Sequence, residues 1–315
     1  MGFLELLDPE VAAVLDRIPL LDLTDLPAAR AEREVLAAAA RARWRPSGRV
    51  RTEDRVLPGD PDVRVRVHRP SGTTASGAVL LWVHGGGHVL GSAEQDDPLL
   101  DAVVARTGCT ALAVDWRRAP EHPYPAAVDD CYATLAAVAG GGLHDLDVDP
   151  GRVVVGGASS GGGVAAGLTL LARDRGEYAL AGQLLVYPML DDRALTPSSR
   201  AVTDQRVWNG DSNRIGWRAY LGGLADEAVP PYAAPARATD LSGLPPTWIG
   251  TAELDLFRDE DVEYARRLYE AGVATELHVY RGGVHGFDLF APEAALTRRF
   301  CRDRGEAFDR FLSAH

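Results

Sequence analysis

Two adjacent serines in a glycine-rich segment are the first candidates for chemistry. Ser159 stands in the pattern G-x-S-x-G at residues 157–161, between the β-branched run at 153–155 and an Ala- and Leu-containing stretch. A strand, a tight turn and a helix in this order are typical of a nucleophile elbow, where small residues flank the serine because the turn crowds the backbone. The shifted pattern A-x-S-x-G at 158–162 is also compatible, since alanine is small. The segment predicts a nucleophilic serine and leaves Ser159 and Ser160 both open.

A run of three glycines, from Gly85 to Gly87, follows an apolar stretch that ends at Val83. Glycines leave backbone N–H groups uncovered and let a ligand approach closely. Two such donors, with the N–H of the residue after the nucleophile, would form an oxyanion hole. No Lys-Ser or Lys-Thr pair follows the glycines at 156–163, which excludes a Walker phosphate-binding loop. Together the two glycine-rich segments indicate serine-based acyl chemistry.

An acid and a histidine follow the serines in the chain. A serine hydroxyl needs a base to become nucleophilic at neutral pH, and the base needs a partner that fixes its tautomer. Glu253 and Asp255 both lie near the end of a predicted strand, and His285 lies in a glycine-containing loop after the last predicted strand. The order serine, acid, histidine is that of α/β hydrolases. Spacing alone does not decide between the two acids.

The elements around these residues alternate between strand and helix, which indicates an α/β fold. Apolar runs without alternation predict strands of a parallel sheet covered on both faces. These runs lie at residues 78–83, 110–114, 152–156, 182–186, 247–250 and 276–280. Residues 49–69 alternate instead, and predict a half-exposed antiparallel strand near a sheet edge.

Two regions depart from this alternation. The first forty-five residues are expected to be helical, because Asp8-Pro9-Glu10 is typical of a helix start and residues 28–44 are rich in Ala and Arg. Residues 191–237 are polar, rich in Pro and Gly, and contain no clear strand. We expect this second region to be an insertion that carries a short helix at 213–221 and helps to cover the site.

These motifs together resemble the bacterial hormone-sensitive-lipase-like family (family IV) of carboxylesterases. The matching stretches are HGGG at 84–87, DWRRAPEHPYPA at 115–126, GASSGG at 157–162, DLFRDE at 255–260 and HGF at 285–287. The likeness covers nearly the whole chain. It implies an α/β-hydrolase fold with a mostly parallel central sheet flanked by helices. It also implies a helical cap from residues 1–45 and 191–237 on a core formed by 46–190 and 238–315.

The resemblance assigns a role to each candidate. It implies that Ser159 is the nucleophile, His285 the base and Asp255 the acid of a catalytic triad. The implied oxyanion donors are the N–H groups of Gly86, Gly87 and Ser160. The expected activity is that of a serine carboxylesterase, which hydrolyses short- to medium-chain acyl esters through an acyl-enzyme. An amidase, a lactonase or a deacetylase with the same triad is the alternative.

Four positions depart from the family's usual residues or deserve a separate interpretation. Ala158 stands where an acidic residue is common, Ser160 where alanine is frequent, and Gly163 where asparagine is common. These departures affect the surroundings of the nucleophile rather than the triad. His88 occupies a position that is often aromatic, and would either line the substrate pocket or be a polar loop residue.

Other polar residues within the motifs are expected to be structural. Asp115 and Glu121 would anchor loops through arginines such as Arg117 or Arg118. His84 would orient the glycine loop by hydrogen bonding. A catalytically silent receptor is a further reading, because the plant gibberellin receptors resemble this family. Receptors of that kind lack the triad histidine, whereas the chain has His285.

Composition limits the partners and the compartment. The chain has 315 residues, 46% of them hydrophobic and 25% charged, and a formal net charge of −12. This negative field repels phosphate backbones, so nucleic-acid binding is not expected. No segment approaches the roughly 18 uninterrupted apolar residues of a membrane span, and no signal peptide is recognisable. We expect a cytoplasmic protein.

The cysteine pattern bears on disulfides and metal sites, and the family resemblance bears on assembly. The three cysteines, Cys109, Cys131 and Cys301, are odd in number and far apart, which favours free thiols over a disulfide framework. No Cys or His pair has the spacing of zinc ligands, so a structural metal site is not expected. The proposed chemistry implies no organic cofactor either. The expected partner is a small-molecule ester. Family members are often dimers, so the resemblance allows a homodimer.

Overall fold

The fold is built on one mixed sheet of eight strands. The computed structural model describes residues 3–72 and 75–313, so residues 1, 2, 73, 74, 314 and 315 of the predicted segments lie outside it. The strands are β1 (Val50–Leu57), β2 (Val63–Pro70), β3 (Val79–Val83), β4 (Thr110–Val114), β5 (Val153–Ala158), β6 (Gly182–Val186), β7 (Thr247–Ala252) and β8 (Thr275–Tyr280). Their order across the sheet is β1-β2-β4-β3-β5-β6-β7-β8. β2 pairs antiparallel with β1 and β4, whereas the remaining neighbours pair in parallel. The predicted mostly parallel sheet is confirmed.

Every predicted apolar run forms a strand, with ends that differ slightly from the predicted ones. β3, β4, β5 and β6 are almost wholly buried, as expected for strands that helices cover on both faces. Residues 49–69 were predicted to form one strand, and this prediction is wrong, because they form two. The loop PGDPD at 58–62 divides this region into the antiparallel hairpin β1–β2, because proline and glycine interrupt a strand.

Helices flank the sheet, and further helices lie in the N-terminal region, which was expected to be helical, and in the insertion, which was expected to carry one short helix. They are α1 (Phe3–Leu6), α2 (Pro9–Leu15), α3 (Leu26–Arg43), α4 (Asp97–Thr107), α5 (Ala126–Ala139), α6 (Ser160–Arg175), α7 (Pro197–Ala201), α8 (Gly210–Leu221), α9 (Arg258–Glu270), α10 (Phe287–Phe290) and α11 (Ala295–Ser313). The helix predicted at 213–221 is α8, which begins earlier. Its cap is Asn209, whose side chain accepts hydrogen bonds from the N–H groups of Asp211 and Ser212.

The candidate residues follow three strands that end at the same edge of the sheet. β5, β7 and β8 are parallel, so their carboxyl ends lie together. Ser159 directly follows β5, Asp255 lies shortly after β7, and His285 lies in the loop after β8. In open α/β sheets this edge is where ligands bind.

The N-terminal region and the insertion at 191–237 contact each other and the core. The N–H of Leu21 donates a hydrogen bond to the carbonyl oxygen of Gln205 at 3.0 Å. Arg30 of α3 reaches the core, where its Nε donates to the carbonyl oxygen of Val89 at 2.9 Å. Within residues 3–72 and 75–313, no helix combines the length and the apolar character needed to cross a membrane.

Candidate active site

The turn between β5 and α6 holds Ser159 in a strained backbone conformation. Its φ is 57° and its ψ is −124°, a region that non-glycine residues rarely adopt. Hydrogen bonds on both sides hold this conformation. The N–H of Ser159 donates to Val186 O at 2.9 Å, and its carbonyl oxygen accepts from the N–H of Met189 at 2.9 Å. The strain presents the hydroxyl at the end of the strand, as a nucleophile elbow requires.

The glycines of the elbow are dictated by contacts with the neighbouring backbone. A Cβ at Gly157 would lie 2.3 Å from Gly161 O, and one at Gly161 would lie 2.2 Å from Val83 O. Gly163 is equally constrained, because its Cβ would meet Met189 O at 2.1 Å. The chain has glycine where the family commonly has asparagine, and at this position the backbone of Met189, in the loop after β6, approaches it closely.

Ser159, His285 and Asp255 form a continuous hydrogen-bonded chain. The Oγ of Ser159 lies 2.9 Å from His285 Nε2, and His285 Nδ1 lies 2.8 Å from Asp255 Oδ2. All three are largely buried, with exposures of 7% for Ser159, 1% for Asp255 and 9% for His285. The carboxylate oxygen can only accept, so Nδ1 carries the proton and Nε2 faces the serine as an acceptor.

Glu253, the alternative acid, faces elsewhere. Its Oε2 accepts a hydrogen bond from the N–H of Gly282 at 2.9 Å. Asp255 instead has one oxygen on His285, while its Oδ1 accepts from the N–H of Phe257 at 2.9 Å. The geometry therefore brings Asp255 to the histidine and gives Glu253 a loop-bracing contact.

Ser160, the alternative serine, is the first residue of α6 and is fully buried. Its hydroxyl has no hydrogen-bond partner in the described part of the chain. Because Ser160 opens a helix, its N–H has no intrahelical acceptor and lies at the positive end of the helix dipole. Its backbone, and not its hydroxyl, is the group suited to acyl chemistry.

The glycine loop lies against the elbow. A Cβ at Gly85 would be 3.2 Å from Ser159 Cβ. Gly86 and Gly87 have φ values of 139° and 60°, which glycine adopts most readily. Within residues 3–72 and 75–313 the N–H groups of these two glycines have no assigned acceptor. Next to them, His84 Nδ1 lies 2.9 Å from the carbonyl oxygen of Gly85 and donates to it, which is the predicted orienting contact.

The insertion packs directly on the glycine loop. A Cβ at Gly87 would lie 1.9 Å from Trp208 Cη2, so the indole ring covers this residue. On α8, a Cβ at Gly216 would lie 2.6 Å from the carbonyl oxygen of Gly87. Two small residues therefore permit the close approach of the insertion to the loop.

His88, which was expected either to line the substrate pocket or to be a polar loop residue, is buried among aromatic rings. Its ring stacks on Tyr220 of α8, with centroids 3.8 Å apart and an interplanar angle of 6°. The Trp217 and Trp116 rings lie 5.2 and 6.3 Å away. Neither ring nitrogen of His88 has a hydrogen-bond partner among the described residues. Burial lowers its pKa to about 3, so the ring is neutral at physiological pH.

The expected loop anchors have other partners than predicted. Asp115 pairs with Arg64 of β2, with Oδ2 and Nε 2.9 Å apart. Glu121 pairs with Arg30 of α3 at 2.6 Å. Both acids do brace loops, as expected, but their arginines come from distant segments and not from the adjacent motif. No local pattern could have identified these pairs.

Two aromatic side chains that were not predicted contact the histidine. The ring of Tyr187 lies 4.7 Å from the ring of His285, and that of Phe257 lies 5.1 Å from it, both edge to face. Tyr187 directly follows β6 at the sheet edge where the other candidates converge. This position after a predicted strand was the one signal in the sequence that could have identified it.

The sheet agrees with comparisons to known proteins. Residues 80–289 match the family described as the alpha/beta hydrolase fold. The chain belongs to this family. It is 38% identical to the carboxylesterase NlhH of Mycobacterium tuberculosis over 246 residues, 77% of each chain. It is 34% identical to the esterase LipI of the same species over 295 residues, 90% of this chain and 89% of that one.

A solved structure extends the likeness over the whole length. The bacterial heroin esterase superposes with a TM-score of 0.94 and 42% identity, covering 99% of both chains. These relatives are esterases, which confirms the resemblance to hormone-sensitive-lipase-like carboxylesterases. The chain is accordingly a member of the carboxylic ester hydrolases.

Proposed function

We propose that the protein is a serine carboxylesterase that cleaves short- to medium-chain acyl esters through an acyl-enzyme. The observation that carries this proposal is the chain of hydrogen bonds from Ser159 Oγ through His285 to Asp255, at 2.9 and 2.8 Å. A nucleophile, a base and an orienting acid in hydrogen-bond reach are the parts that acyl transfer by a serine requires. A silent receptor would have no use for this arrangement.

Acylation begins when Ser159 Oγ attacks the ester carbonyl carbon. Nε2 of His285 takes the hydroxyl proton, and Asp255 stabilises the resulting imidazolium through Nδ1–H. The carbonyl oxygen becomes an oxyanion, which the N–H groups of Gly86, Gly87 and Ser160 bind. The C–O bond to the alcohol then breaks, and His285 Nε2–H donates its proton to the departing oxygen. The products of this half-reaction are the alcohol and an ester between Ser159 and the acyl group.

Deacylation repeats these steps with water. His285 Nε2 takes a proton from the water, whose oxygen attacks the acyl carbon. The same backbone donors hold the second oxyanion. Collapse of this intermediate releases the carboxylic acid, and His285 returns the proton to Ser159 Oγ. The uncovered N–H groups of the glycine loop and the start of α6 support this assignment.

The N-terminal region at 1–45 and the insertion at 191–237 form the proposed cap over a core at 46–190 and 238–315. Supporting contacts are the hydrogen bond from Leu21 to Gln205 and the cover of Gly87 by Trp208. We infer that an indole over Gly87 restricts the space for the acyl group. This enclosure supports short to medium acyl groups as the preferred substrates.

The test compares Ser159→Ala with Ser160→Ala on p-nitrophenyl esters from acetate to palmitate. We expect loss of Ser159 to lower kcat by about four to six orders of magnitude, as for other triads. Ser160→Ala removes a hydroxyl without a partner and keeps the backbone N–H, so it should retain most of its activity. Wild-type turnover should be highest for acyl groups of about two to eight carbons. Near-normal turnover by Ser159→Ala would refute the mechanism.

A fluorophosphonate probe provides an independent readout. It forms a covalent P–O bond with an activated serine and releases fluoride. Labelling of the wild type and of Ser160→Ala, but not of Ser159→Ala, is the expected result. A panel of amides, lactones and acetylated amines in the same assay identifies the acyl compounds that the site accepts. Faster turnover of any of these classes than of simple esters would replace the proposed substrate class.

A further inference from the structure

Tyr187 lies at the junction between the serine turn and the histidine loop. Val186, directly before it, and Met189, two residues after it, each make a backbone hydrogen bond of 2.9 Å with Ser159. Its own N–H donates to Gly250 O of β7 at 2.7 Å. The backbone of this short segment is therefore fixed to the nucleophile and to the strand that leads to Asp255.

The backbone of Tyr187 is strained in a way that aims its side chain. Its φ is 33°, which is unusual for a residue with a Cβ. Strain of this kind persists where the surroundings over-determine the conformation, and it concentrates at functional sites. Here the result is a ring whose edge-to-face contact with His285 has a centroid distance of 4.7 Å. Since Phe257 contacts the imidazole as well, at 5.1 Å, two rings restrict its rotation.

The hydroxyl of Tyr187 connects this segment to the helix after the histidine loop. It donates a hydrogen bond of 2.8 Å to Oδ1 of Asp288, which belongs to α10, the helix that directly follows the loop of His285. Asp288 Oδ2 lies 3.9 Å from Arg304 Nη1 of α11, and both side chains are largely buried. Burial and the neighbouring Asp288 raise the pKa of Tyr187 well above its usual range, so the hydroxyl keeps its proton and remains a donor.

We propose that Tyr187 is a positioning residue for the reaction, and that its hydrogen bond to Asp288 sets the distance between Ser159 and His285. The backbone of the 186–189 segment holds the serine, and the tyrosine side chain holds the histidine loop through Asp288. The residue thereby joins the two halves of the proton-transfer pair. The inference rests on the proposed function, because it concerns the same serine and histidine.

The test is Tyr187→Phe, which keeps the ring against His285 and removes only the hydroxyl. Tyr264→Phe is the matched control. Tyr264 is buried in α9, and its hydroxyl has no partner among the described residues. We expect Tyr187→Phe to lower kcat about tenfold, since small misplacements of catalytic groups have effects of this order or larger. KM should stay within about twofold, because this hydroxyl is buried and bonded to Asp288.

Fluorophosphonate labelling gives a second readout that a purely structural role would not change. Its rate reports the activation of Ser159 without ester turnover, and should fall by a factor similar to that of kcat. Unchanged kcat in Tyr187→Phe, or an equal loss in Tyr264→Phe, would overturn the inference. A lower melting temperature with wild-type kcat would overturn it as well.

A double-mutant cycle with Asp288→Ala identifies the partner. If the hydrogen bond carries the effect, the double variant should lose no more kcat than the more impaired single variant. Independent, multiplicative losses would assign the two residues separate roles and contradict the proposed link. Ser159→Ala distinguishes this result from failure of the proposed function. An active wild type and an inactive Ser159→Ala support the function, whatever Tyr187→Phe does.

Discussion

Glu253 and Asp255 lie close together in the chain, yet their carboxylates contact different residues of the loop that carries His285. Asp255 Oδ2 lies 2.8 Å from His285 Nδ1, whereas Glu253 Oε2 accepts from the N–H of Gly282 at 2.9 Å. Strand alternation would place both on one side, but β7 ends at Ala252 and the chain turns there. The turn separates Asp255, the acid of the proposed triad, from Glu253, which braces the loop that carries His285.

This separation predicts different effects of two conservative substitutions. Asp255→Asn should lower kcat by about four orders of magnitude, because an amide partner disturbs the tautomer of His285. Glu253→Gln keeps an oxygen that can accept from Gly282, so we expect kcat within about threefold of the wild type. Steady-state kinetics on one p-nitrophenyl ester measures both. A larger loss in Glu253→Gln than in Asp255→Asn would reverse the assignment of the acid.

The sheet and the triad candidates were predictable because their signals are local. Continuous apolar runs mark parallel strands, and the small residues around Ser159 follow from contacts as close as the 2.2 Å that a Cβ at Gly161 would make. Chain order then places an acid and a histidine after the serine. The choice between Glu253 and Asp255 was not predictable from spacing, because periodicity stops where the strand ends.

The features that could not be predicted depend on contacts between segments far apart in the chain. The hairpin β1–β2 was predicted as one strand, because alternation was read across the loop at 58–62. The partners of Asp115 and Glu121 come from β2 and α3, far from them in sequence. The contact of Tyr187 with His285 likewise joins loops that only the sheet brings together. Such pairs have no signature in one sequence.

The close approach of α8 to the glycine loop at 85–87, which carries the proposed oxyanion donors, predicts a requirement for Gly216. A methyl group there would lie 2.6 Å from the carbonyl oxygen of Gly87 and would displace the loop. We expect Gly216→Ala to lower kcat by about ten- to a hundredfold, the range associated with a misplaced oxyanion donor. The melting temperature should fall by only a few degrees.

Gly210→Ala is the control for this substitution. Gly210 belongs to the same helix, and a Cβ there would make an ordinary contact of 3.6 Å with Ser199 O. It should leave kcat unchanged. Equal activity of both variants would show that the approach of α8 does not position the loop.

The aromatic surroundings of His88 predict that a histidine is not needed there. Both ring nitrogens are buried without partners in the described part of the chain, and the ring stacks on Tyr220 at 3.8 Å. His88→Phe keeps the stack and removes the unpaired polar atoms, so we expect the free energy of unfolding to rise by about 1 kcal/mol. Activity should stay within about threefold of the wild type, as judged by ester hydrolysis.

His68→Phe is the contrasting variant. His68 is also fully buried, but its Nδ1 lies 3.1 Å from Thr52 Oγ1 and its Nε2 lies 3.4 Å from Asp97 Oδ1, so the same replacement removes both polar contacts. We expect a loss of about 1 to 3 kcal/mol in urea unfolding. A loss of ester hydrolysis in His88→Phe without a loss of stability would indicate instead that His88 contacts substrate.

Asp96 predicts a pH dependence of stability. It is buried, and Trp82 Nε1 donates to its Oδ2 at 2.7 Å. Burial raises its pKa to about 7; Asp288 adds to this effect, while Trp82 and Arg304 oppose it. The Asp96 carboxyl ionises near pH 4 in the unfolded chain, whereas in the folded protein it keeps its proton until about pH 7. The contribution of Asp96 to stability is full below pH 4 and declines as the pH rises towards 7.

Asp96→Asn removes this decline, because asparagine does not ionise and its amide oxygen can still accept from Trp82. The free energy of unfolding of the variant minus that of the wild type should therefore be larger at pH 8 than at pH 5, by on the order of 2 to 3 kcal/mol. Urea unfolding at both pH values measures the difference. The exposed Asp240, whose pKa is lowered by hydrogen bonds from Ser242, is the control. Asp240→Asn should not gain stability over the same range, and an equal gain in both variants would rule out burial of Asp96 as the cause.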